Sequence, residues 1–249
     1  MILKSYKIIF ISILLVSSAF PQNAKEIIRK ADELMKGKSS YAEVTMEIIK
    51  TDWQRKMGMK IWALEPDYAI IYITEPARDK GTVTLKRKKE VWNWLPSVQK
   101  VIKIPPSMML QSWMGSDFTN DDLVKESSVV EDYNHKVIGE EKFAGYDCYK
   151  IESIPKPDAG VVWGKLITWV AKKHFFQLKT EFYDEDGFLV KTYLGSDIKK
   201  LGGRIIPAHW EMIPEDRPGE KTTFTYNKIQ FNINVTESFF SERNMKRVR

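Results

Sequence analysis

The sequence has one cysteine and three histidines among its 249 residues. A single cysteine, Cys148, cannot form an intramolecular disulfide even in an oxidising compartment. It lies in an alternating apolar run, which favours a buried small hydrophobic side chain over a reactive thiol. His135, His174 and His209 are far apart, and none has a second His or Cys at ligand spacing. The sequence therefore predicts no metal site and no cofactor.

Sequence motifs for catalysis are also missing. The serines lack a G-x-S-x-G elbow, and no glycine-rich phosphate loop is present. The acidic clusters at 121–122, 140–141 and 184–186 lie where turns or helix starts place solvated charge. Because catalytic clefts need positioned titratable groups, we expect a protein that is not an enzyme. An exported hydrolase with an unrecognised site is the least favoured alternative.

Long apolar runs are confined to the first residues. Lys4 and Lys7 precede the apolar stretch 8–16, which a few small residues follow. This pattern predicts a signal peptide over 1–22, cleaved between residues 19 and 22. The stretch is short for a bilayer span, which disfavours an uncleaved anchor, and no cysteine follows it for lipidation. We expect an exported, periplasmic protein with a single domain over 23–249.

Positive charge is in mild excess, with a formal net charge of +6. The longest basic cluster is the stretch 86–89, and a second cluster lies at the C-terminus. Nucleic-acid binding requires a more extensive basic surface, so we expect no nucleic-acid partner. The stretch 86–89 is either a solubilising turn or a site that attracts anionic lipid head groups.

The apolar periodicity predicts one helix followed by many strands. Residues 23–36 place apolar side chains at helical spacing and are followed by Gly37, which predicts an amphipathic helix. The period then changes to two, and the segments that fit strands are 41–51, 55–64, 67–74, 82–88, 90–95, 99–104, 129–138, 146–154, 166–171, 177–183, 189–198, 205–213 and 222–231. The short turns between them, such as Asp186-Gly187, predict an antiparallel meander. Since so wide a flat sheet would leave one face wet or both edges open, we expect a strongly curved sheet wrapped on the helix.

Several predicted strands, such as 69–73 and 91–95, are apolar on both faces. This pattern fits two buried faces, or one core face and one ligand face; aromatic residues on an exposed surface are the alternative. The chain also has eight Trp and ten Met residues. Flexible Met side chains suit a pocket that repacks around varied apolar molecules, so we expect an apolar cavity.

A short apolar insert, residues 107–118, interrupts the strands. The spacing of its Met and Trp residues fits one face of about two helical turns, too short to be stable alone. The insert must therefore cover something apolar, either the protein's own core or the hydrocarbon of a ligand. We interpret it as a lid that swings away when cargo enters.

Several stretches of the sequence resemble one known family. They are Trp92-Asn93-Trp94-Leu95-Pro96, Lys103-Ile104-Pro105-Pro106, the segment 112–123 with Gly115-Ser116-Asp117-Phe118, Asp147-Cys148-Tyr149-Lys150-Ile151-Glu152 and Ser238-Phe239-Phe240. On these residues nearly all of the chain after the signal peptide resembles the outer membrane lipoprotein-sorting protein family. That family belongs with the periplasmic lipoprotein carrier LolA and its receptor LolB.

The resemblance implies a mainly β fold with a few helices. The expected architecture is an unclosed antiparallel half-barrel of about eleven strands with a short helical lid and an apolar cavity for acyl chains. The resemblance further implies a role in outer membrane biogenesis, with lipid or lipoprotein acyl chains as partners and transient membrane contact. Members of this branch are often associated with membrane transporters of the RND type. No catalytic role attaches to the family motif, in which Gly115 allows a tight reversal, Asp117 caps the next segment of the chain and Phe118 packs inward.

The predicted site residues form three groups. The lid group is Met108, Met109, Leu110, Trp113, Met114 and Phe118; the cavity-wall group is Ile48, Met59, Ile61, Tyr72, Trp92 and Trp94; the structural motif is Gly115, Ser116 and Asp117. Two functions compete on this basis. The first is a periplasmic carrier that binds acyl chains and moves them toward the outer membrane. The second is an accessory interaction module of an RND-type transporter that holds no lipid itself.

Overall fold

The computed structural model describes residues 23–125 and 129–249. The predicted signal peptide and its cleavage site lie outside the described residues. The strands are β1 Ser39–Ile49, β2 Gln54–Leu64, β3 Tyr68–Glu75, β4 Val83–Arg87, β5 Glu90–Leu95, β6 Lys100–Lys103, β7 Tyr133–Phe143, β8 Tyr146–Pro155, β9 Lys165–Ala171, β10 Gln177–Tyr183, β11 Leu189–Leu201, β12 Arg204–Pro214 and β13 Lys221–Phe231. The α-helices are α1 Ala24–Lys36, α2 Asn120–Lys125, α3 Val129–Asp132 and α4 Glu242–Met245, and 3-10 turns cover Pro106–Met108 and Glu237–Phe239.

All thirteen strands form one antiparallel sheet in the order β6-β5-β4-β3-β2-β1-β13-β12-β11-β10-β9-β8-β7. β6 and β7 follow each other in the chain but lie at opposite edges, so the sheet is an unclosed half-barrel. The prediction of a mainly β, unclosed antiparallel sheet with an N-terminal helix is confirmed. The sheet has thirteen strands, as many as the periodic segments of the sequence, and not the roughly eleven that the resemblance implied. Residues 129–132, predicted as the start of a strand, form α3 instead.

α1 begins and ends where its sequence predicts. The Asn23 side chain accepts hydrogen bonds from the backbone N–H groups of Lys25 and Glu26, and Gly37 follows the last turn with a φ of 67°. An Asn cap satisfies N–H groups that lack intrahelical partners, and Gly adopts a positive φ without steric cost. The helix covers one face of the sheet, here called the inner face. Its buried side packs on that face against α3, β8 and β9 through Ile27, Ile28, Ala31, Val130, Tyr149, Ile151 and Val170.

The sheet in the first half of the chain is buried on both faces. Along β3, Ile71 and Ile73 pack with the insert on the inner face. Ile70 and Tyr72 lie on the opposite, outer face. The C-terminal segment, residues 232–249, covers this outer face with Phe240, Met245 and Val248, all of which are buried. Two buried faces therefore explain why these strands are apolar at both parities.

Cys148 lies on the outer face of the second half of the sheet. It is fully buried and packs in a cluster with Trp169 and Phe176. Burial raises the pKa of its thiol, which disfavours the reactive thiolate. The predicted role as a buried small hydrophobic residue is confirmed.

The described helices are short. No helix in residues 23–125 or 129–249 is long and apolar enough to cross a membrane.

Candidate functional site

Two adjoining cavities lie between α1, the insert and the inner face of the sheet. The first encloses about 120 Å³ and the second about 240 Å³. Residues that line both are Ala31, Asp32, Phe118, Gln177 and Tyr193. Because the walls are shared, the cavities form two compartments of one space that runs beneath α1.

The first cavity has an apolar wall and a polar edge. The loop before β9 contributes Val161, Val162 and Trp163 to the apolar part. The polar edge carries Asp32, Asp121 and Asp122. Asp32 lies 2.5 Å from the ammonium group of Lys36 and Asp122 lies 2.8 Å from that of Lys191. These pairs neutralise Asp32 and Asp122, so most of the first cavity favours neutral or apolar groups.

The second cavity is lined mainly by apolar side chains of β1, β2, β3, β12 and β13. The wall includes Ala42, Met59, Ile61, Ala63, Ile71, Trp113, Phe224 and Ile229. At the strand ends nearest the last turn of α1, the same wall continues to Ser40, Glu65 and Tyr68, which are partly exposed. The second cavity therefore opens at the end of the half-barrel where α1 ends.

One buried polar group in the second cavity is unsatisfied. Trp210 is only 3% exposed and stacks on Tyr193 with ring centroids 4.6 Å apart. Its indole Nε1 has no hydrogen-bond partner among the described residues. A buried N–H without an acceptor costs free energy, so this group would gain from an acceptor oxygen on a ligand.

The insert folds as a compact loop rather than as two helical turns. After the 3-10 turn Pro106–Met108, residues 109–119 are not helical, and a bridge between Ser112 and Thr119 closes the loop. Met114 and Gly115 both have positive φ values, 54° and 78°. A left-handed conformation at two successive residues reverses the chain, which is incompatible with a helix. The expected tight reversal at Gly115 is confirmed, and the expected helical turns are wrong.

The inward side of the insert covers the inner face of the sheet. Trp113 is 2% exposed and donates from its indole Nε1 to Thr84 Oγ1 at 3.2 Å. Phe118 packs edge-to-face on Phe224, with ring centroids 4.9 Å apart, and on Tyr193 at 5.8 Å. Such pairs add to the stabilisation from burial alone. The expected inward packing of Phe118 is confirmed, and Met114 packs against the same core.

The outward side of the insert is exposed. Leu110 is 62% exposed and Met108 is 39% exposed, while Met109 is partly buried. The structure therefore divides the predicted lid group into residues that face the core and residues that face solvent.

Asp117 anchors the insert at the end of the half-barrel that lies opposite the opening of the second cavity. Its buried carboxylate lies 2.6 Å from the ammonium group of Lys50 and 3.1 Å from the guanidinium group of Arg217. It also accepts a hydrogen bond from Thr222 Oγ1 at 2.7 Å. Asp117 was expected to cap the next segment of the chain, and this expectation is wrong. The sequence contained no signal that would pair Asp117 with residues so distant.

α2 is capped by two reciprocal hydrogen bonds between Thr119, which precedes the helix, and Asp122 in its first turn. Thr119 Oγ1 accepts from the backbone N–H of Asp122 at 3.1 Å, and Asp122 Oδ2 accepts from the backbone N–H of Thr119 at 2.8 Å. This capping box satisfies two donors at once. Ser116 closes the preceding turn, because its hydroxyl donates to the carbonyl of Trp113 at 2.7 Å.

The predicted cavity-wall residues divide between the two faces. Met59 and Ile61 line the second cavity, and Ile48 is fully buried in the same core with Trp113. Placing Tyr72, Trp92 and Trp94 in the cavity wall is wrong, because they pack on the outer face beneath the C-terminal segment. Strand alternation separates the two faces but does not say which face is which.

Titratable groups of the described part of the chain do not gather into a metal centre. In residues 23–125 and 129–249, no group of three His, Cys, Asp or Glu side chains could hold a metal ion.

Comparison with known proteins agrees with this geometry. A family model described as "Uncharacterized protein" matches residues 65–247, which is well over half of the chain. A search of curated proteins finds no match.

Solved structures share the fold over nearly the whole chain. A DUF1329 family protein from Desulfovibrio piger is 23% identical with a TM-score of 0.80, and the match covers 89% of this chain and 97% of that one. A putative outer membrane lipoprotein-sorting protein domain from Vibrio parahaemolyticus is 24% identical with a TM-score of 0.78, covering 90% and 98%. A LolA superfamily protein from Nitrosomonas europaea is 23% identical with a TM-score of 0.74, covering 89% and 98%. The chain therefore belongs to the family described as "Uncharacterized protein", and its half-barrel is a LolA-like fold.

Proposed function

We propose that this protein is a periplasmic carrier that binds acyl chains of lipids or lipoproteins and moves them toward the outer membrane without catalysis. The observation that carries the proposal is the mainly apolar space between α1, the insert and the inner face of the sheet. The similarity to a lipoprotein-sorting protein domain and to a LolA superfamily protein supports it.

Sequestering an acyl chain requires only an apolar container. Removing a chain of about 16 carbons from water contributes on the order of 12 kcal/mol, at about 0.8 kcal/mol per methylene. Each of the two cavities is smaller than the roughly 300 Å³ at which ligand pockets commonly begin. A long chain therefore needs both compartments and additional space.

The insert is the element that supplies this space. Trp113 and Phe118 occupy the inner face with apolar surface that a ligand chain would replace. Because the insert is a loop with few backbone hydrogen bonds to the sheet, its movement breaks no strand pairing, although it must break the ion pairs of Asp117 with Lys50 and Arg217. Because an acyl chain would replace side chains of the insert on the inner face, the free energies of the empty and the loaded protein stay close to each other, and both uptake and release remain possible.

Trp210 gives the container a means to hold a polar linkage. Its indole N–H is a donor without a partner among the described residues. An ester or amide oxygen next to the acyl chain would satisfy this donor, which a plain hydrocarbon would not.

The test is the lipid content of the purified protein, measured by native mass spectrometry and solvent extraction. We expect bound acyl lipid in the unaltered protein and a severalfold loss in Ala69→Phe, because Ala69 lines the second cavity. Ala77→Phe is the matched control, since Ala77 is exposed in the turn after β3. An unaltered protein without bound lipid, which also fails to take up added lipid, would overturn the proposal.

A second candidate function is an accessory module that docks on an RND-type transporter and holds no lipid. The exposed Leu110 and Met108 favour it, because outward apolar side chains on a loop suit a protein contact. Leu110→Asp should weaken co-purification with such a transporter and leave the lipid content unchanged. Retention of the transporter in this variant would count against the module.

A further inference from the structure

The two ends of the half-barrel differ in charge. Antiparallel pairing places the turns after α1, β4, β9 and β11 at one end, and the turns after β1, β8, β10 and β12 at the other. The first end exposes five lysines, here the basic rim: Lys38, Lys88, Lys89, Lys173 and Lys200. The other end exposes five acidic residues, here the acidic rim: Asp52, Asp158, Glu185, Asp186 and Asp216. It also exposes Lys80 and Lys100, so its excess of negative charge is smaller than the number of acidic residues.

The basic-rim lysines carry uncompensated charge. None of the five forms an ion pair with another described residue, whereas Arg87, Lys103 and Lys199 nearby pair with Glu237, Glu90 and Asp197. The acidic groups that face this rim without an ion pair to a described residue are Asp67 and Asp147. The rim therefore keeps a net positive charge in solution.

The basic rim lies at the same end of the half-barrel as the opening of the second cavity. Tyr68 lines the second cavity and also a surface groove on the outer face, where it lies beside Lys88, Lys89 and Trp92. One residue thus joins the cavity opening to the charged turn. Aromatic side chains such as Tyr and Trp favour the boundary between water and lipid.

We propose that the basic rim is a docking surface for an anionic lipid bilayer, and that docking places the opening of the second cavity against the head groups. The orientation follows from the charge, because the acidic rim is repelled by the same surface. Lysines attract anionic lipid within a Debye length, so the contact is reversible and sensitive to salt. This inference rests on the proposed carrier function and adds the face by which cargo enters and leaves.

The test is co-sedimentation of the full chain with vesicles of phosphatidylcholine that contain phosphatidylglycerol, or with vesicles of phosphatidylcholine alone. We expect binding only to the anionic vesicles, weakening as salt rises. The double variant Lys88→Glu, Lys89→Glu should lower the partition coefficient at least roughly twenty-fold.

The matched control is Lys80→Glu, Lys100→Glu, which changes the net charge equally. Both lysines are exposed at the end opposite the basic rim, so this variant should bind within about threefold of the unaltered protein. Equal loss in the two double variants, or equal binding to neutral vesicles, would overturn the proposal.

The lipid content of the same variants separates this proposal from the carrier function. If the basic-rim variant binds vesicles as well as the unaltered protein and still carries lipid, the docking surface is rejected and the carrier function is not. A protein without lipid in any variant rejects the carrier function, whatever the vesicles show.

Discussion

At the scale of single residues, Asp117 decides how the insert is held. Its side chain is only 1% exposed and that of Lys50 is 10% exposed. A buried ion pair contributes little net stability by itself, but removal of one partner leaves the other charge buried without compensation. Asp117 is therefore a residue at which a small change has a large effect on the insert.

Asp117→Ala should lower the free energy of unfolding by about 3 kcal/mol, because the buried Lys50 then keeps only Glu220 as an ion-pair partner and Thr222 Oγ1 loses its acceptor. Urea denaturation measures the change. Asp216→Ala is the matched control, since its side chain is 77% exposed and the change there should stay below about 0.5 kcal/mol. Equal effects in the two variants would show that the anchor carries no special energy.

His135 makes the stability of the fold depend on pH. Its ring nitrogens lie 2.8 Å from Ser153 Oγ and 3.3 Å from the carbonyl of Val130. Burial lowers the pKa of His135 below its ordinary value of 6.5, and the nearby Lys25 and Lys156 act in the same direction. The hydrogen bond to the Val130 carbonyl and the charge of Glu131 oppose this shift without cancelling it.

Because the unfolded chain binds the proton more readily, stability should be full above pH 6.5 and fall as the pH drops from 6.5 through the lower folded pKa. His135→Gln should remove this part of the pH dependence. Urea midpoints at pH 7.5 and about pH 5.5 provide the measurement. An unchanged difference between the two midpoints in the variant would contradict the assignment.

At the scale of elements, the C-terminal segment acts as the second layer of the sheet. Phe240 and Met245 are fully buried over Ile70 and Leu85, on the face opposite the insert. A strand that is apolar on both faces must be covered twice, and these side chains supply the outer cover. The segment thus stabilises the same strands whose inner face lines the second cavity.

Phe240→Ala should lower the free energy of unfolding by about 3 to 5 kcal/mol, since it opens a cavity in this layer. The loss is again measured by urea denaturation. Phe188→Ala is the matched control, because Phe188 is 70% exposed in the turn before β11. A loss below about 1 kcal/mol in Phe240→Ala would mean that the segment does not stabilise the sheet.

At the scale of the whole molecule, the half-barrel has an apolar inner face and two ends that differ in exposed charge. Its sheet is unclosed between β6 and β7, so α1, α3 and the insert cover the inner face in place of further strands. In the proposed carrier function, the apolar surface that they cover becomes available to a ligand when the insert moves. Ligand binding should therefore stabilise the whole fold rather than one strand.

If the carrier function holds, acyl lipid added to delipidated protein at about a hundred times its Kd should raise the Tm by roughly 5 to 10 °C, because only the folded state binds. Differential scanning calorimetry measures the shift. Ala69→Phe, which narrows the second cavity, should show a smaller shift at the same lipid concentration. Identical shifts in both proteins would indicate that the lipid binds outside the cavity.

Local patterns in the sequence determine the elements of this protein. Helical spacing between Asn23 and Gly37 specified α1, because its caps are neighbours in the chain. Alternation of apolar residues located the thirteen strands, and the exclusion of catalytic and metal motifs came from composition. The Met and Trp residues of the insert correctly indicated a cover over an apolar surface, although the loop around Gly115 is not helical.

Only the tertiary structure decided which face is which. Alternation distinguishes two faces of a strand but not inside from outside, so Trp92 and Trp94 were assigned to the cavity although the C-terminal segment covers them. The partners of Asp117 likewise depend on pairing between β1 and β13, which brings Lys50 near the turn that holds Arg217. Contacts between residues so far apart in the chain arise from sheet register and packing, which no local pattern encodes.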